Sequence, residues 1–232
     1  MMNEKNFNFA GQWSPNPFLT MPKSYQHMAQ DTHPTVFTDI YQSEINIAIW
    51  QRKLPATLQN SVKTFLALNP TFQTKMILTP QDALSRVSES FNNNMVEVSE
   101  NIAELVDMFC YLFELKEAAI RLKVLDQAMC PKFHVDRVPC RLVTTYQGIA
   151  TEWLPHEVLD HTKLGWGSNG LADSASGLYQ SESDIQQLGC GDVALLKGTL
   201  WEGNENAGLV HRSPVLQANE KRLILTLDFI GS

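Results

Sequence analysis

Two histidines and an aspartate are spaced in a pattern that suits a metal ion. His134 and Asp136 lie two residues apart, so an extended chain presents both side chains on one face with their tips close together. His211 follows much later, in a short segment with strand character. Two imidazoles and one carboxylate with open coordination positions form the facial triad of non-haem Fe(II) oxygenases. The pattern therefore predicts a metal site made of His134, Asp136 and His211.

An arginine follows the second histidine at the start of an apolar strand. Arg222 lies eleven residues after His211. The planar guanidinium group pairs with carboxylates through two parallel hydrogen bonds. We therefore expect a buried Arg222 to bind a carboxylate-bearing ligand beside the metal.

The strand that Arg222 opens has two dissimilar faces. One face is wholly apolar and needs a cover, which helices from the first half of the chain can supply. The other face is mostly polar, and polar groups inside a sheet are costly unless they are satisfied. We therefore predict that this second face lines a cavity. The apolar face carries Leu223, Leu225, Leu227 and Phe229, and the polar face carries Arg222, Ile224, Thr226 and Asp228.

The elements that must position these residues are helices followed by strands. The clearest helix is predicted from Ser99, as N-cap, to Leu115, and alternation or strand-forming residues predict the strands. Helices that precede strands are typical of an α+β protein with helices packed on one side of an antiparallel sheet. The predicted strands cover residues 45–50, 120–124, 140–146, 192–196 and 222–229.

The chain divides into an extension and a single domain. Residues 1–40 are polar and rich in proline, which predicts an irregular N-terminal extension. Residues 41–232 then form one domain, with helical support over 55–116 and the sheet core over 117–232. A long polar segment, about 155–183, is typical of a lid or an insertion.

The length, composition and charge of the chain disfavour several classes of function. The chain has 232 residues, a formal charge of −7 and 44% hydrophobic residues, which suits a globular domain with a sizeable core. The acidic balance disfavours binding of bulk nucleic acid through its phosphates. No apolar run approaches the ~18 residues that span a bilayer, and the first residues do not resemble a signal peptide. We expect a cytoplasmic protein that has no membrane contact.

Residues 120–229 resemble the double-stranded β-helix, a cupin-like jelly roll, of the Fe(II)- and 2-oxoglutarate-dependent dioxygenases. His134, Asp136 and His211 match the iron triad of that superfamily, and Arg222 matches the arginine that binds 2-oxoglutarate. Over most of the chain, an uncharacterised bacterial family of unknown function is more similar. The matching segments are CPKFHVDRVPCRL, TEWL, LVHRSP and LTLDF.

The resemblance implies a C-terminal jelly roll covered by N-terminal helices, with Fe(II) as the metal and 2-oxoglutarate as co-substrate. The implied activity is a hydroxylase or demethylase type of oxygenase that acts on a small molecule or a side chain. The Asn-x-Tyr element that some subgroups use to hold the co-substrate is missing. Either Arg121 and Lys123 before the motif or Thr145 and Tyr146 after it would replace that element, and strand alternation permits both.

Two cysteines flank the predicted triad and leave a second function open. A thiolate from Cys130 or Cys140 would complete a closed zinc site, as in a non-catalytic metal-binding or sensing protein. A cupin-like binding module without metal is a third possibility. Arg212 and Trp153 are further candidates for contact with substrate or for support of the site.

Overall fold

The computed structural model describes residues 26–204 and 206–231. Within these residues the structure has ten strands and four α-helices. The strands are β1 (His27–Asp31), β2 (Ile45–Trp50), β3 (Gln73–Leu78), β4 (Ala118–Leu125), β5 (Cys140–Gln147), β6 (Glu152–Leu154), β7 (Gln186–Gln187), β8 (Val193–Lys197), β9 (Val210–Arg212) and β10 (Arg222–Asp228). The helices are α1 (Ala56–Leu68), α2 (Ala83–Ser90), α3 (Val96–Leu112) and α4 (Asp173–Ser176).

The strands form two sheets that face each other. The large sheet has the order β1-β2-β8-β5-β10-β4-β3, and the small sheet has the order β7-β6-β9. His134 extends the small sheet by a bridge to His211 on β9. Apart from the parallel β1–β2 pair, neighbouring strands are antiparallel. From β4 onwards the chain passes back and forth between the sheets, which is the topology of a double-stranded β-helix and confirms the predicted fold class.

The two faces of β10 pack as predicted. Leu223, Leu225 and Leu227 lie in the core beneath the helices, and each is at most 1% exposed. A fully buried leucine of this kind contributes about 1.5–3 kcal/mol of hydrophobic stabilisation. The opposite face turns towards the small sheet, where Arg222 and Thr226 line a cavity.

Helices α1 and α3 cover the outer face of the large sheet. Their buried residues recur every three or four positions, as on one face of a helix, and join β10 in one core cluster. The cluster includes Leu58, Val62 and Leu66 from α1, and Ile102, Leu105, Val106 and Phe109 from α3. In the part of the chain that the structure describes, no helix has the length and apolar character needed to cross a membrane.

The start of α3 differs from the prediction. The helix begins at Val96, and Ser99 lies inside it rather than at its N-cap. The hydroxyl of Ser99 is buried and donates to the carbonyl of Met95, one turn earlier. A serine satisfied in this way fits within a helix, which is why its polarity was misleading.

The predicted irregular extension over residues 1–40 is wrong for its second part. Residues 1–25 lie outside the described residues, but β1 pairs with β2 and a 3₁₀ helix follows over Pro34–Tyr41. Phe37 on this 3₁₀ helix packs edge-on against Trp50 of β2, with ring centroids 6.1 Å apart. Phe37 and Ile40 are buried, but they lie three residues apart among prolines and polar residues, so they form only a weak helical pattern in the sequence.

The segment between β6 and β7 is an insertion that covers the outside of the small sheet. It contains three short 3₁₀ helices between residues 156 and 168, helix α4 and a further 3₁₀ turn at Glu182–Asp184. Leu178 and Tyr179 of this insertion pack with Phe133, Leu154 and Val210 of the small sheet. The insertion therefore supports the sheet that carries both histidines.

Candidate metal centre

The three residues of the predicted triad converge in the structure. One ligand atom from each of His134, Asp136 and His211 lies within 4.8 Å of the others. The Nε2 atom of His211 is 3.2 Å from Oδ2 of Asp136, and the Nε2 atom of His134 is 3.7 Å from Oδ1 of the same carboxylate. Among the described residues this is the group with the geometry to hold a metal ion.

Backbone pairing of the small sheet brings the two histidines together. The amide of His134 donates to the carbonyl of His211 at 3.0 Å, and the amide of His211 donates to the carbonyl of His134 at 2.9 Å. The imidazole rings then lie side by side, with centroids 4.7 Å apart. Asp136, two residues further on, points to the same side of the chain.

Backbone carbonyls also set the tautomers of both imidazoles. Nδ1 of His134 contacts the carbonyl of Lys132 at 2.9 Å, and Nδ1 of His211 contacts the carbonyl of Leu209 at 3.1 Å. A carbonyl oxygen only accepts, so each Nδ1 must be the donor. When a ring with this Nδ1 donor is neutral, its lone pair lies on Nε2, the nitrogen that faces Asp136, as in histidines that bind metals.

The protonation states of His134 and Asp136 favour the binding of a metal cation. Burial lowers the pKa of His134, and the neighbouring His211 lowers it further. Burial raises the pKa of the Asp136 carboxyl, but a hydrogen bond and positive charge from His211, together with the Arg141 charge, outweigh it and hold this pKa well below its usual range. A neutral imidazole and an ionised carboxylate are the forms that bind metal. Two nitrogen ligands and one oxygen ligand with an open side therefore fit a divalent transition metal.

Arg141 is a residue of this centre that the sequence analysis missed. Its Nη1 donates to Oδ2 of Asp136 at 2.6 Å, and its Nε and Nη2 donate to the two carboxylate oxygens of Asp228 at 2.7 and 2.9 Å. Arg141 and Asp228 face each other in the β5–β10 register. That register, read from the two predicted strands, was the signal that could have revealed the pair.

Arg222 is a buried cation with neutral partners. Its side chain donates to the hydroxyls of Thr145 at 3.1 and 3.3 Å, Thr151 at 2.7 Å and Ser213 at 3.2 Å. The residue is 1% exposed, and burial lowers the pKa of Arg222 to about 10. A buried charge without a counter-charge is costly, so this position favours an anionic ligand.

The metal triad and Arg222 line the same cavity, which has a volume of about 430 Å³. Small-molecule sites range from about 300 to 1,000 Å³. The walls between the polar groups are apolar and come from both sheets: Leu125, Val143, Leu196 and Ile224.

The candidate co-substrate residues separate into two groups. Arg121 lines the cavity, and Thr145 reaches it through its bond to Arg222. Tyr146 does not: it is buried on the helix side of β5, where its hydroxyl donates to Asn101 of α3 at 2.9 Å. Neighbouring residues of a strand alternate between faces, so Thr145 and Tyr146 cannot both point inwards. Lys123 is not among the cavity-lining residues.

The two cysteines also differ in position. Both thiols are free, and Cys130 lines the mouth of the cavity. Cys140 is 0% exposed in the core beneath the helices, on the face of β5 opposite Arg141, and burial strongly raises the pKa of its thiol. The prediction that Cys140 could complete a zinc site is therefore wrong.

Arg212 and Trp153 contribute to the site indirectly. Arg212 lines the cavity mouth, donates to Glu152 at 2.6 Å and lies over the ring of Phe133 at 4.3 Å. Trp153 pairs with His211 in the sheet register and is packed in the core between the sheets. Trp153 is outside the cavity lining, so the candidate role of this residue in contacting substrate is not supported.

Comparison with known proteins identifies a family and several similar solved structures. No curated protein matches the chain. The dioxygenase for auxin oxidation 1 from Arabidopsis thaliana, solved with 2-oxoglutarate, is similar with a TM-score of 0.47 and 9% identity, over 89% of this chain and 93% of that one. The rice dioxygenase for auxin oxidation has a TM-score of 0.46 and 12% identity, over 88% and 82% of the two chains. A prolyl-4-hydroxylase from Pseudomonas putida has a TM-score of 0.40 and 10% identity, over 84% and 96%. A family model described as "Protein of unknown function (DUF1826)" matches residues 31–228, and the chain therefore belongs to the DUF1826 family.

Proposed function

We propose that this protein is an Fe(II)- and 2-oxoglutarate-dependent oxygenase that acts on a small organic substrate. One observation carries the proposal: a three-residue metal site and a buried arginine with neutral partners share a single cavity. Cytoplasmic location and the absence of bulk nucleic acid as a partner remain predictions from the sequence.

The metal side of the cavity accounts for the first half of the proposal. His134, Asp136 and His211 approach from one side, so a cation bound there keeps open positions towards the cavity. Arg141 holds the Asp136 carboxylate in place through its 2.6 Å hydrogen bond. The chemistry that Fe(II) and a 2-oxo acid supply when bound is activation of O₂ for oxidation of a substrate, with succinate and CO₂ as co-products.

The arginine side accounts for the second half. Arg222 offers its positive charge and the remaining N–H of Nη1 to the distal carboxylate of 2-oxoglutarate, while Thr151 and Thr145 fix the plane of the guanidinium. A dicarboxylate bound there would compensate the buried charge. The apolar walls, which include Leu196 and Ile224, exclude water from the space between arginine and metal.

The decisive experiment measures binding and turnover of 2-oxoglutarate. Wild-type protein with Fe(II) should bind 2-oxoglutarate under anaerobic conditions and should form succinate from it in air, above the protein-free background. His134→Ala and His211→Ala should abolish both results. His27→Ala removes an exposed histidine of β1 and should leave both unchanged. A wild-type protein that binds Fe(II) but neither binds nor consumes 2-oxoglutarate would refute the proposal.

A further inference from the structure

Arg121, another arginine of the cavity, has no hydrogen-bond or ion-pair partner among the described residues. Arg121 lies on β4 opposite Thr226 of β10, and both residues line the cavity. The Nε of Arg121 and the Oγ1 of Thr226 are buried, and neither has a hydrogen-bond partner. Within residues 26–204 and 206–231, no acidic side chain forms an ion pair with Arg121. A donor and a hydroxyl on adjacent strands are thus both unsatisfied.

This pair is distant from the arginine assigned to 2-oxoglutarate. Arg222 lies opposite Leu125 of β4, whereas Arg121 lies four residues earlier on that strand. At about 3.4 Å per residue, the two backbone positions are about 14 Å apart. Arg121 and Arg222 therefore lie towards opposite ends of β10.

Two other arginines of the cavity already form ion pairs. Arg141 is bonded to Asp136 and Asp228, and Arg212 is bonded to Glu152. Arg222 is committed to the co-substrate by the proposed function. Among the described residues, Arg121 is therefore the arginine of this cavity for which neither an ion pair nor the proposed co-substrate supplies a counter-charge.

We propose that Arg121 and Thr226 bind an anionic group, a carboxylate or a phosphate monoester, on the primary substrate. This inference rests on the proposed function and adds the chemical class of its substrate. The ion pair with Arg121 and a hydrogen bond from Thr226 satisfy both orphaned atoms. The apolar wall formed by Val143 and Ile224 contacts the carbon skeleton, so the substrate is a small organic anion.

The test compares matched charged and neutral probes. Protein saturated anaerobically with Fe(II) and 2-oxoglutarate is titrated calorimetrically with phenylacetate, with its neutral analogue phenylacetamide and with phenyl phosphate. Wild type should bind at least one of the two anions tenfold more tightly than the amide, and the tighter anion identifies the group. Arg121→Gln should remove this preference and Arg121→Lys should retain part of it. Lys123→Gln, which removes a charge from the same strand outside the cavity lining, should leave the preference intact.

Two results would overturn the inference. One is equal binding, or no binding, of anions and amide by wild type. The other is a tenfold loss of 2-oxoglutarate affinity in Arg121→Gln, which would make Arg121 a co-substrate residue while the oxygenase proposal stands. If wild type binds no 2-oxoglutarate, the proposed function fails, and the same titrations with Fe(II) alone still measure the anion preference that Arg121 confers. Circular dichroism of each variant verifies its fold.

Discussion

Arg141 and Asp136 are joined by a 2.6 Å hydrogen bond that holds the carboxylate between the two imidazoles. Oδ2 of Asp136 accepts this bond and also faces Nε2 of His211, while Oδ1 faces His134. The remaining donors of Arg141 bind Asp228 at the end of β10. The orientation of a metal ligand is thereby coupled to the large sheet.

Arg141→Gln should weaken both metal binding and folding. Groups that orient metal ligands typically account for 10–100-fold in affinity, so we expect a loss within about that range for Fe(II). Two partly buried carboxylates lose their counter-charge, which should lower the free energy of unfolding by about 3 kcal/mol, the lower end of the range for buried ion pairs. Anaerobic metal titration and urea unfolding measure the two effects. Arg137→Gln, at an exposed neighbouring position, is the control and should change neither. An unchanged metal affinity in Arg141→Gln would contradict the orienting role.

Arg222→Lys should reduce 2-oxoglutarate affinity by at least about tenfold, because an ammonium group cannot replace the planar guanidinium that Thr145 and Thr151 orient. Thr151→Val removes the 2.7 Å contact that orients this guanidinium and should give a smaller loss. Isothermal titration with 2-oxoglutarate in the presence of Fe(II) measures both losses. Fe(II) affinity should be unchanged in both variants, and a parallel loss of metal binding would indicate general disruption of the cavity.

Tyr146→Phe should affect stability and leave ligand binding unchanged. The hydroxyl of Tyr146 is buried and donates to Asn101, which also accepts from Arg52 at 3.0 Å. Loss of one such bond costs about 0.5–1.5 kcal/mol. Urea unfolding should detect this cost, whereas the affinity for 2-oxoglutarate should match that of wild type. A marked loss of that affinity would return Tyr146 to the list of co-substrate residues.

The four cysteine thiols should differ in their reactivity towards a thiol-specific reagent. Cys130 and Cys190 are exposed, whereas Cys110 and Cys140 are buried. Burial raises the pKa of Cys110 to about 11 and raises the pKa of Cys140 strongly, so neither ionises near neutral pH. Burial also raises the pKa of Cys190. A thiol-specific reagent at pH 8 should therefore modify Cys130 and, more slowly, Cys190 in the native protein, and all four cysteines in urea. Cys140→Ser should retain metal content, and a metal loss with preserved fold would revive Cys140 as a ligand.

The spacing of residues predicted most of the site because the side chains of an extended strand alternate between its two faces. His134 and Asp136 needed only an extended chain to share a face, and the alternation over β10 correctly assigned Arg222 to the cavity. Arg141 was missed because its partner Asp228 is distant in sequence and becomes adjacent only when β5 and β10 pair.

The errors arose where local pattern permits two outcomes. Around Tyr146 the strand carries residues compatible with either face, so its phase was undetermined until the β5 register was known. At the N-terminus, prolines suggested irregular chain, but the adjacent β2 offered an edge for β1 to pair with.

Because the backbones of His134 and His211 are paired, a cation bound by both side chains would also stabilise the fold. The small sheet is short, with β6 and β9 of three residues each and β7 of two. A cation held by both imidazoles would act as a cross-link between distant segments of the chain, and a ligand at one hundred times its Kd stabilises the native state by about 2.7 kcal/mol. Without a bound metal ion we therefore expect this junction to open more often and the chain to become more susceptible to proteolysis.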